Sequence, residues 1–282
     1  MDMEKNRELF QTYCSNCNAS LKGGFCHNCG QRVRDNSDRS LGPLIGDFLN
    51  NIFFFDSRFI LSLRYLIQFP SKITVEFLEG KRKKFISPVT LFLFFNLIYF
   101  FVSPLSDYSL SLYDQTYSQP YSVWTKDWVD IKLENTGLDD QAYGVIYQNA
   151  SDNISKSIMI INVPIIAIFI YIMAFRRRQF YFDSLIFSFH FFSLFIGSWV
   201  MLDWVGSLID FFAGQDDSIV SKISFYLFAF LIPLFYAIMG IKKFMNISWY
   251  WSFFAGIGVM IAVNLANLIY RFIIFILTFL VT

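Results

Sequence analysis

Long apolar runs constrain the fold of this chain more than any other feature. Of its 282 residues, 55% are hydrophobic and only 16% are charged, whereas soluble domains usually carry about 25% charged residues. The apolar residues gather in runs close to the length of a helix that crosses a bilayer. We therefore predict an all-α polytopic membrane protein with about five transmembrane helices, a bundle over 85–282. The predicted spans are 85–102, 157–175, 184–205, 223–241 and 251–270.

The distribution of Lys and Arg predicts the orientation of these spans. If the spans alternate, the runs Lys81–Lys84, Arg176–Arg178 and Lys242–Lys243 fall on one side, which is the cytoplasmic side by the positive-inside rule. The long segment 103–156, which is rich in Asp and Tyr, falls on the other. The amino terminus is thus predicted to be cytoplasmic and 103–156 extracytoplasmic, either as a small cap or as an ordered linker. Residues 272–282 either extend the last helix or lie at the interface.

Four cysteines precede the apolar runs in two CxxC pairs, Cys14 with Cys17 and Cys26 with Cys29. Thiolates suit the tetrahedral coordination of Zn²⁺. The chain opens with a polar stretch and no signal peptide, so we expect reduced cysteines that bind metal rather than form disulfides. Residues 1–33 are therefore predicted to form a small cytoplasmic zinc-ribbon head in which four cysteines hold a structural Zn²⁺. A redox dithiol is the alternative.

Such a head is predicted to bind a partner rather than to catalyse a reaction. Four thiolates fill a tetrahedral shell, which leaves no position for water or substrate. Gly23 and Gly24 supply a turn between the pairs, and Gly30 allows left-handed backbone. A cytoplasmic protein is the expected partner. Nucleic acid is not expected, because acidic residues offset the basic ones near the head.

Residues 34–84 are predicted to be a polar linker followed by amphipathic helices. Apolar residues recur at helical spacing from Leu44 to Phe69, with charges between them. These helices either lie in the membrane interface or dock on the bundle. The basic run Lys81, Arg82, Lys83 and Lys84 follows, and it is expected to contact membrane lipid, either through a pocket for anionic lipid or through general electrostatic anchoring.

Several polar residues are predicted to lie at membrane depth. His190 falls deep in the third span and could relay a proton or be a packed core residue. Asn264, Asn267 and Arg271 share one face of the last helix, where they could join helices or line a cavity. Arg271 is a candidate ion-pair partner for Asp203.

The chain resembles an uncharacterised bacterial membrane family, domain of unknown function 3667. The resemblance implies a zinc ribbon ahead of transmembrane helices in the bacterial cytoplasmic (inner) membrane, and it implies no activity. It is carried by Cys14-x-x-Cys17, by Cys26-x-x-Cys29-Gly30-Gln31, by Phe53-Phe54-Phe55-Asp56 leading to Phe69-Pro70, and by the run from Gly80 to Pro88.

Three functions remain open on sequence alone. A membrane scaffold or sensor is favoured, with the zinc ribbon as its protein-interaction module. A carrier or channel for small solutes or ions is the second, supported by Pro164 and Pro233 within spans, by His190 and by the polar stripe from Asn264 to Arg271. Five spans without a visible repeat would then need a homo-oligomer. A lipid-handling enzyme is the third, and no catalytic motif supports it.

Overall fold

The computed structural model describes residues 13–33, 57–102, 110–174, 180–213 and 219–282. Beyond the cysteine-rich head, these residues are mainly helical. Part of the predicted amphipathic segment (residues 44–56), the basic run Arg176–Arg178 and residues 103–109 lie outside the described residues. The α-helices in the described ranges are α1 Ser57–Gln68, α2 Lys72–Leu78, α3 Pro88–Val102, α4 Ser122–Thr136, α5 Asp140–Ile158, α6 Asn162–Met173, α7 Tyr181–Ala213, α8 Ile219–Met245 and α9 Trp249–Val281.

Three of these helices are long and apolar enough to cross a membrane. Their apolar parts are Tyr181–Leu208, Leu227–Met245 and Trp249–Val281, and each contains most or all of a predicted span. A fourth span arises if α5 and α6 are counted together, although they are inclined by 59°. The apolar helix α3 has 15 residues, which rise only about 22 Å. The described residues thus support three or four spans, and the predicted count of five is not confirmed.

The bend between α5 and α6 has a local cause. A short 3₁₀ turn, Met159–Ile161, separates the two helices, and Pro164 lies in the first turn of α6. Proline has no N–H and is accommodated in the first turn of a helix, where that donor would be unpaired. The chain therefore begins a new helix here. Pro233 has a different setting, because α8 continues through it.

Helix α7 is the centre of the bundle and packs against α3, α6 and α8. Its apolar part is 83% buried, which is expected of a helix that is apolar on all sides. Phenylalanine rings fill the contacts; Phe92 of α3, for example, stacks on Phe192 with ring centroids 6.0 Å apart. Offset stacking and edge contacts of this kind add to the burial of each ring.

A second, smaller core lies at the carboxyl end of α9. This helix has 33 residues and is about 50 Å long, which exceeds the roughly 30 Å hydrocarbon core of a bilayer. Its final turns pack against α4 and α5, with Tyr147 and Phe275 fully buried between them. The segment predicted to be an extracytoplasmic loop is thus largely helical over residues 110–158, and residues 272–281 extend the last helix. We call residues 110–158 the cap.

Helices α1 and α2 form a hairpin that packs against the bundle. Ser62 and Leu66 of α1 are fully buried, and the Ser62 hydroxyl accepts a hydrogen bond from the backbone of Ile86 at 3.0 Å. The opposite face of α1 exposes Ile60 and Ile67. This half of the predicted amphipathic segment therefore docks on the bundle and keeps an apolar outer face. A turn at residues 80–83 then leads toward α3.

Candidate metal centre

The four cysteine sulfurs converge on one point in the head. All four lie within 4.8 Å of one another, with 3.6 Å between the sulfurs of Cys14 and Cys29 and 3.5 Å between those of Cys17 and Cys26. A tetrahedron with Zn–S bonds of about 2.3 Å has edges of about 3.8 Å, whereas a disulfide bond is about 2.05 Å long. The spacing fits four ligands around one metal ion.

Each CxxC pair forms the same knuckle. The backbone N–H of Asn18 donates to the carbonyl of Cys14 at 2.8 Å, and that of Gly30 donates to the carbonyl of Cys26 at 2.9 Å. Both residues have left-handed backbone, with φ of 61° at Asn18 and 67° at Gly30. Glycine and asparagine are the residues that adopt this conformation most readily.

Sequence reasoning identified Gly30 for this role but missed Asn18. An internal repeat could have identified Asn18. The two knuckles have similar sequences 12 residues apart, Tyr-Cys-Ser-Asn-Cys-Asn from Tyr13 and Phe-Cys-His-Asn-Cys-Gly from Phe25, so that Asn18 is equivalent to Gly30. The structure repeats the offset in its β-bridges, which join Tyr13 to Ser20 and Phe25 to Arg32. The head is thus a pair of equivalent units around one centre.

The pKa values of Cys26 and Cys29 are shifted in opposite directions. The backbone N–H of Cys29 points at the sulfur of Cys26 and lowers the pKa of Cys26 to about 6. Burial raises the pKa of Cys29 to about 11, although the N–H of Gln31 acts in the opposite direction. A cation at the centre would offset the repulsion between neighbouring thiolates and favour their ionised forms.

Gln31 connects the head to the helical body. Its side-chain amide donates to the carbonyl oxygen of Gly80 at 2.6 Å and accepts from the backbone N–H of Lys83 at 3.2 Å. The head therefore lies against the turn that carries the basic run. Two of the stretches on which the family resemblance rests, around Gln31 and around Gly80, are in contact.

The basic run is partly neutralised within the protein. The Lys84 ammonium contacts the Glu76 carboxylate at 2.5 Å and the Tyr65 hydroxyl at 3.3 Å. Burial opposes the charge on Lys84, but Glu76 and Tyr65 outweigh it and raise the pKa of Lys84. Lys81 pairs with Glu79 at 3.1 Å. Arg82 lies over the Phe77 ring at 5.5 Å, and the Lys83 side chain is exposed.

His190 lies where α2 meets α7. Its Nδ1 atom is 2.9 Å from the hydroxyl oxygen of Thr74, a hydrogen bond between two buried side chains. The Phe77 ring meets the imidazole edge to face at 6.5 Å. Among the described residues, Nε2 has no hydrogen-bond partner. The contacts place His190 in a packed core where it holds the α1–α2 hairpin to the bundle.

The polar stripe on α9 lies apart from His190. Asn264 is exposed and donates to the Met260 carbonyl of its own helix at 2.8 Å, and Asn267 follows one turn later. Arg271 lies beside the cap: its carbonyl accepts from the Gln115 side chain at 3.5 Å, and its charge acts on the phenol of Tyr121. His190 thus packs against α2, whereas Arg271 lies beside the cap. The structure does not bring the two residues together in one site.

The fold and the cysteine cluster define a class: a helical protein with several apolar helices of membrane-spanning length and, in its N-terminal part, a cluster of four cysteines suited to a metal ion. Residues 56–100 match the family model described as "Protein of unknown function (DUF3667)". This match confirms the resemblance to that family over α1, α2, the basic turn and most of α3. It does not include the cysteines. The comparisons with curated proteins and with solved structures found no match to this chain.

Proposed function

We propose that this protein is a membrane scaffold or sensor whose head binds Zn²⁺ and serves as a protein-interaction module. The observation that supports this most is the closed set of four sulfurs. Because four thiolates occupy every position of a tetrahedral zinc ion, the ion stabilises the head and has no position left for a substrate. The surface of the head, rather than the metal, then carries the function.

That surface suits a protein partner. Tyr13 and Phe25, which occupy equivalent positions before the two knuckles, are 61% and 65% exposed. Exposed aromatic side chains are enriched where proteins bind one another. The described head has only two basic side chains, Lys22 and Arg32, which are too few to form the extended basic patch that nucleic acid requires.

The membrane in this proposal is the bacterial cytoplasmic membrane, with the head on its cytoplasmic side. The basic run lies next to the head, as the positive-inside rule would require. Anionic lipid headgroups would contact this run mainly through the exposed Lys83, because Lys81 and Lys84 already pair with Glu79 and Glu76. Such a contact is worth on the order of 1 kcal/mol per charge near the surface.

The test uses the full-length protein purified in detergent. Elemental analysis should find one zinc ion per chain, and Cys17→Ser with Cys29→Ser should abolish it. Crosslinking in membranes should capture a cytoplasmic protein through the head. The capture should be lost in Tyr13→Ala with Phe25→Ala, which retains zinc, and kept in the matched head variant Lys22→Ala. A protein without zinc, or a partner captured equally by all variants, would contradict the proposal.

A further inference from the structure

Gln31 is fixed by the metal-binding knuckle at both ends of its backbone. Its carbonyl accepts the N–H of Cys26 at 2.8 Å, and its own N–H points at the sulfur of Cys29. The direction of its side chain therefore depends on the geometry of the second CxxC pair. Gln31 is the residue through which the state of the cysteine cluster can be transmitted to the rest of the chain.

The described head has little besides a metal to hold that geometry. Among residues 13–33, the hydrophobic side chains that are buried are the cysteines Cys14 and Cys26. The two aromatic rings, Tyr13 and Phe25, face outward. A segment that buries so little apolar surface does not fold on its own hydrophobic core, and a structural metal ion supplies the missing free energy.

The side chain of Gln31 meets a turn with its own fixed shape. Gly80, two residues after the end of α2, has left-handed backbone with φ of 96°. The N–H of Lys81 donates to the carbonyl of Glu76 at 3.0 Å. The amide of Gln31 bridges the Gly80 carbonyl and the Lys83 N–H, so that it pairs with the turn as a backbone amide would. This turn presents the basic run and leads through Lys84 toward α3.

We propose that the metal-loaded head is a clamp on residues 80–83, and that loss of the metal releases this basic turn. The proposal rests on the proposed function in one respect, that the four cysteines hold zinc. The metal state of the head then sets how accessible the basic turn is. A structural zinc site with no catalytic position would in this way regulate the accessibility of the basic turn.

The backbone amide of Lys83 gives the most direct measurement. Hydrogen exchange of the full-length protein in lipid nanodiscs, resolved to single residues, should show this amide protected when zinc is bound. Removal of zinc with a chelator, or Gln31→Ala with zinc retained, should speed its exchange by about tenfold, since one hydrogen bond is lost. The matched control is Arg32→Ala, the exposed neighbour of Gln31, which should leave the exchange unchanged.

Trypsin provides a second readout, because the turn contains three cleavage sites and Lys84 directly after it is a fourth. Cleavage at Lys81–Lys84 should be slow in the zinc-loaded protein and faster after chelation or in Gln31→Ala. Cleavage at the exposed Lys126 of the cap serves as an internal reference. Gln31→Glu should fall between wild type and Gln31→Ala, because a carboxylate can still accept from Lys83 but cannot donate to Gly80.

The outcomes separate this proposal from the one on which it rests. If the protein holds zinc but Lys83 exchanges at the same rate in wild type, chelated protein and Gln31→Ala, the clamp is wrong and the zinc head stands. If the purified protein holds no zinc, the proposed function fails and metal control of the turn fails with it. If Gln31→Ala alone changes the exchange, the contact exists but the metal does not control it.

Discussion

At the scale of single residues, the head depends on two left-handed positions. Gly30 and Asn18 close equivalent knuckles with nearly equal φ values. A glycine directly after a CxxC pair predicts left-handed backbone, because glycine adopts that conformation without steric cost. Asparagine gives a weaker signal, since it adopts this conformation less often and occurs in many other settings. The clustering of the four cysteines was therefore predictable from the sequence. The left-handed backbone at Asn18, which closes the first knuckle, was not.

We expect the conformation of these two residues to control zinc affinity. No atom lies within 4 Å of a Cβ built at Gly30, so Gly30→Ala introduces only backbone strain. That strain is about 1–2 kcal/mol, and it should weaken zinc binding by about 5- to 30-fold. Asn18→Gly should leave the affinity unchanged or raise it. Competition with a chromophoric chelator measures both.

Gly24→Ala is the matched control for this prediction. Gly24 also has open space around its Cβ position and lacks the left-handed φ of Gly30. Its replacement should leave zinc affinity within about twofold of wild type, because neither strain nor a clash is introduced. Equal losses in Gly24→Ala and Gly30→Ala would show that backbone handedness is not the cause.

Zinc binding should depend on pH, with a sign that follows from the thiols. The pKa of Cys26 is lowered to about 6 and that of Cys29 is raised to about 11. Protons compete with the metal for each thiolate, so apparent affinity should rise with pH across this window. It should fall most steeply below pH 6, where Cys26 is also protonated. At neutral pH, binding should release protons, including that of Cys29.

Proton release into weakly buffered solution, together with zinc competition at several pH values, measures this dependence. The double variant Cys17→Ser with Cys29→Ser provides the background, since it retains only two thiols. An affinity that is flat between acidic and mildly alkaline pH would show that the metal is not bound by these cysteines.

At the scale of elements, apolar length predicted the helices of the bundle better than those of the cap. The runs that became α7, α8 and α9 are continuous, so their positions followed from hydropathy alone. Helix α4 gave no such signal, because Val123, Trp124 and Ile131 are exposed while Thr125 is buried. A helix whose apolar residues do not form one face has no periodicity to detect. Its place is set by tertiary contact with the end of α9.

Close approach of α8 and α9 should make one glycine sensitive to substitution. A Cβ at Gly256 would lie 3.0 Å from both the backbone N and the Cα of Ile238, atoms that cannot move without shifting α8. We expect Gly256→Ala to lower the free energy of unfolding by about 1–3 kcal/mol. Thermal or denaturant unfolding in detergent micelles measures the loss.

Gly258 on the same helix is the matched control. A Cβ there would meet the end of the Met173 side chain, at 2.8 Å from its terminal carbon. Methionine is flexible and can move aside, so Gly258→Ala should cost clearly less than Gly256→Ala. If the two variants unfold alike, backbone contact between α8 and α9 does not limit their packing.

At the scale of the whole molecule, the chain places its two distinctive parts at different points of the bundle. The head contacts the basic turn through Gln31, next to the hairpin that α7 holds through His190. The cap packs on the last turns of α9, where Lys132 donates to the Phe279 carbonyl at 2.6 Å. Helix α9 is long enough to reach from one side of a bilayer to the other. We predict that the head and the cap lie in different compartments.

This arrangement predicts opposite locations for the two termini. Basic residues of the turn and Lys242–Lys243 at the end of α8 should remain cytoplasmic, which places Met1 inside and Thr282 outside. A fluorescent protein fused before Met1 should therefore fluoresce, and alkaline phosphatase fused after Thr282 should be active, since it needs the periplasm to form its disulfides. Exchanging the two reporters should silence alkaline phosphatase at Met1. Activity of alkaline phosphatase at Met1, or its inactivity at Thr282, would contradict the orientation that the charge pattern predicts.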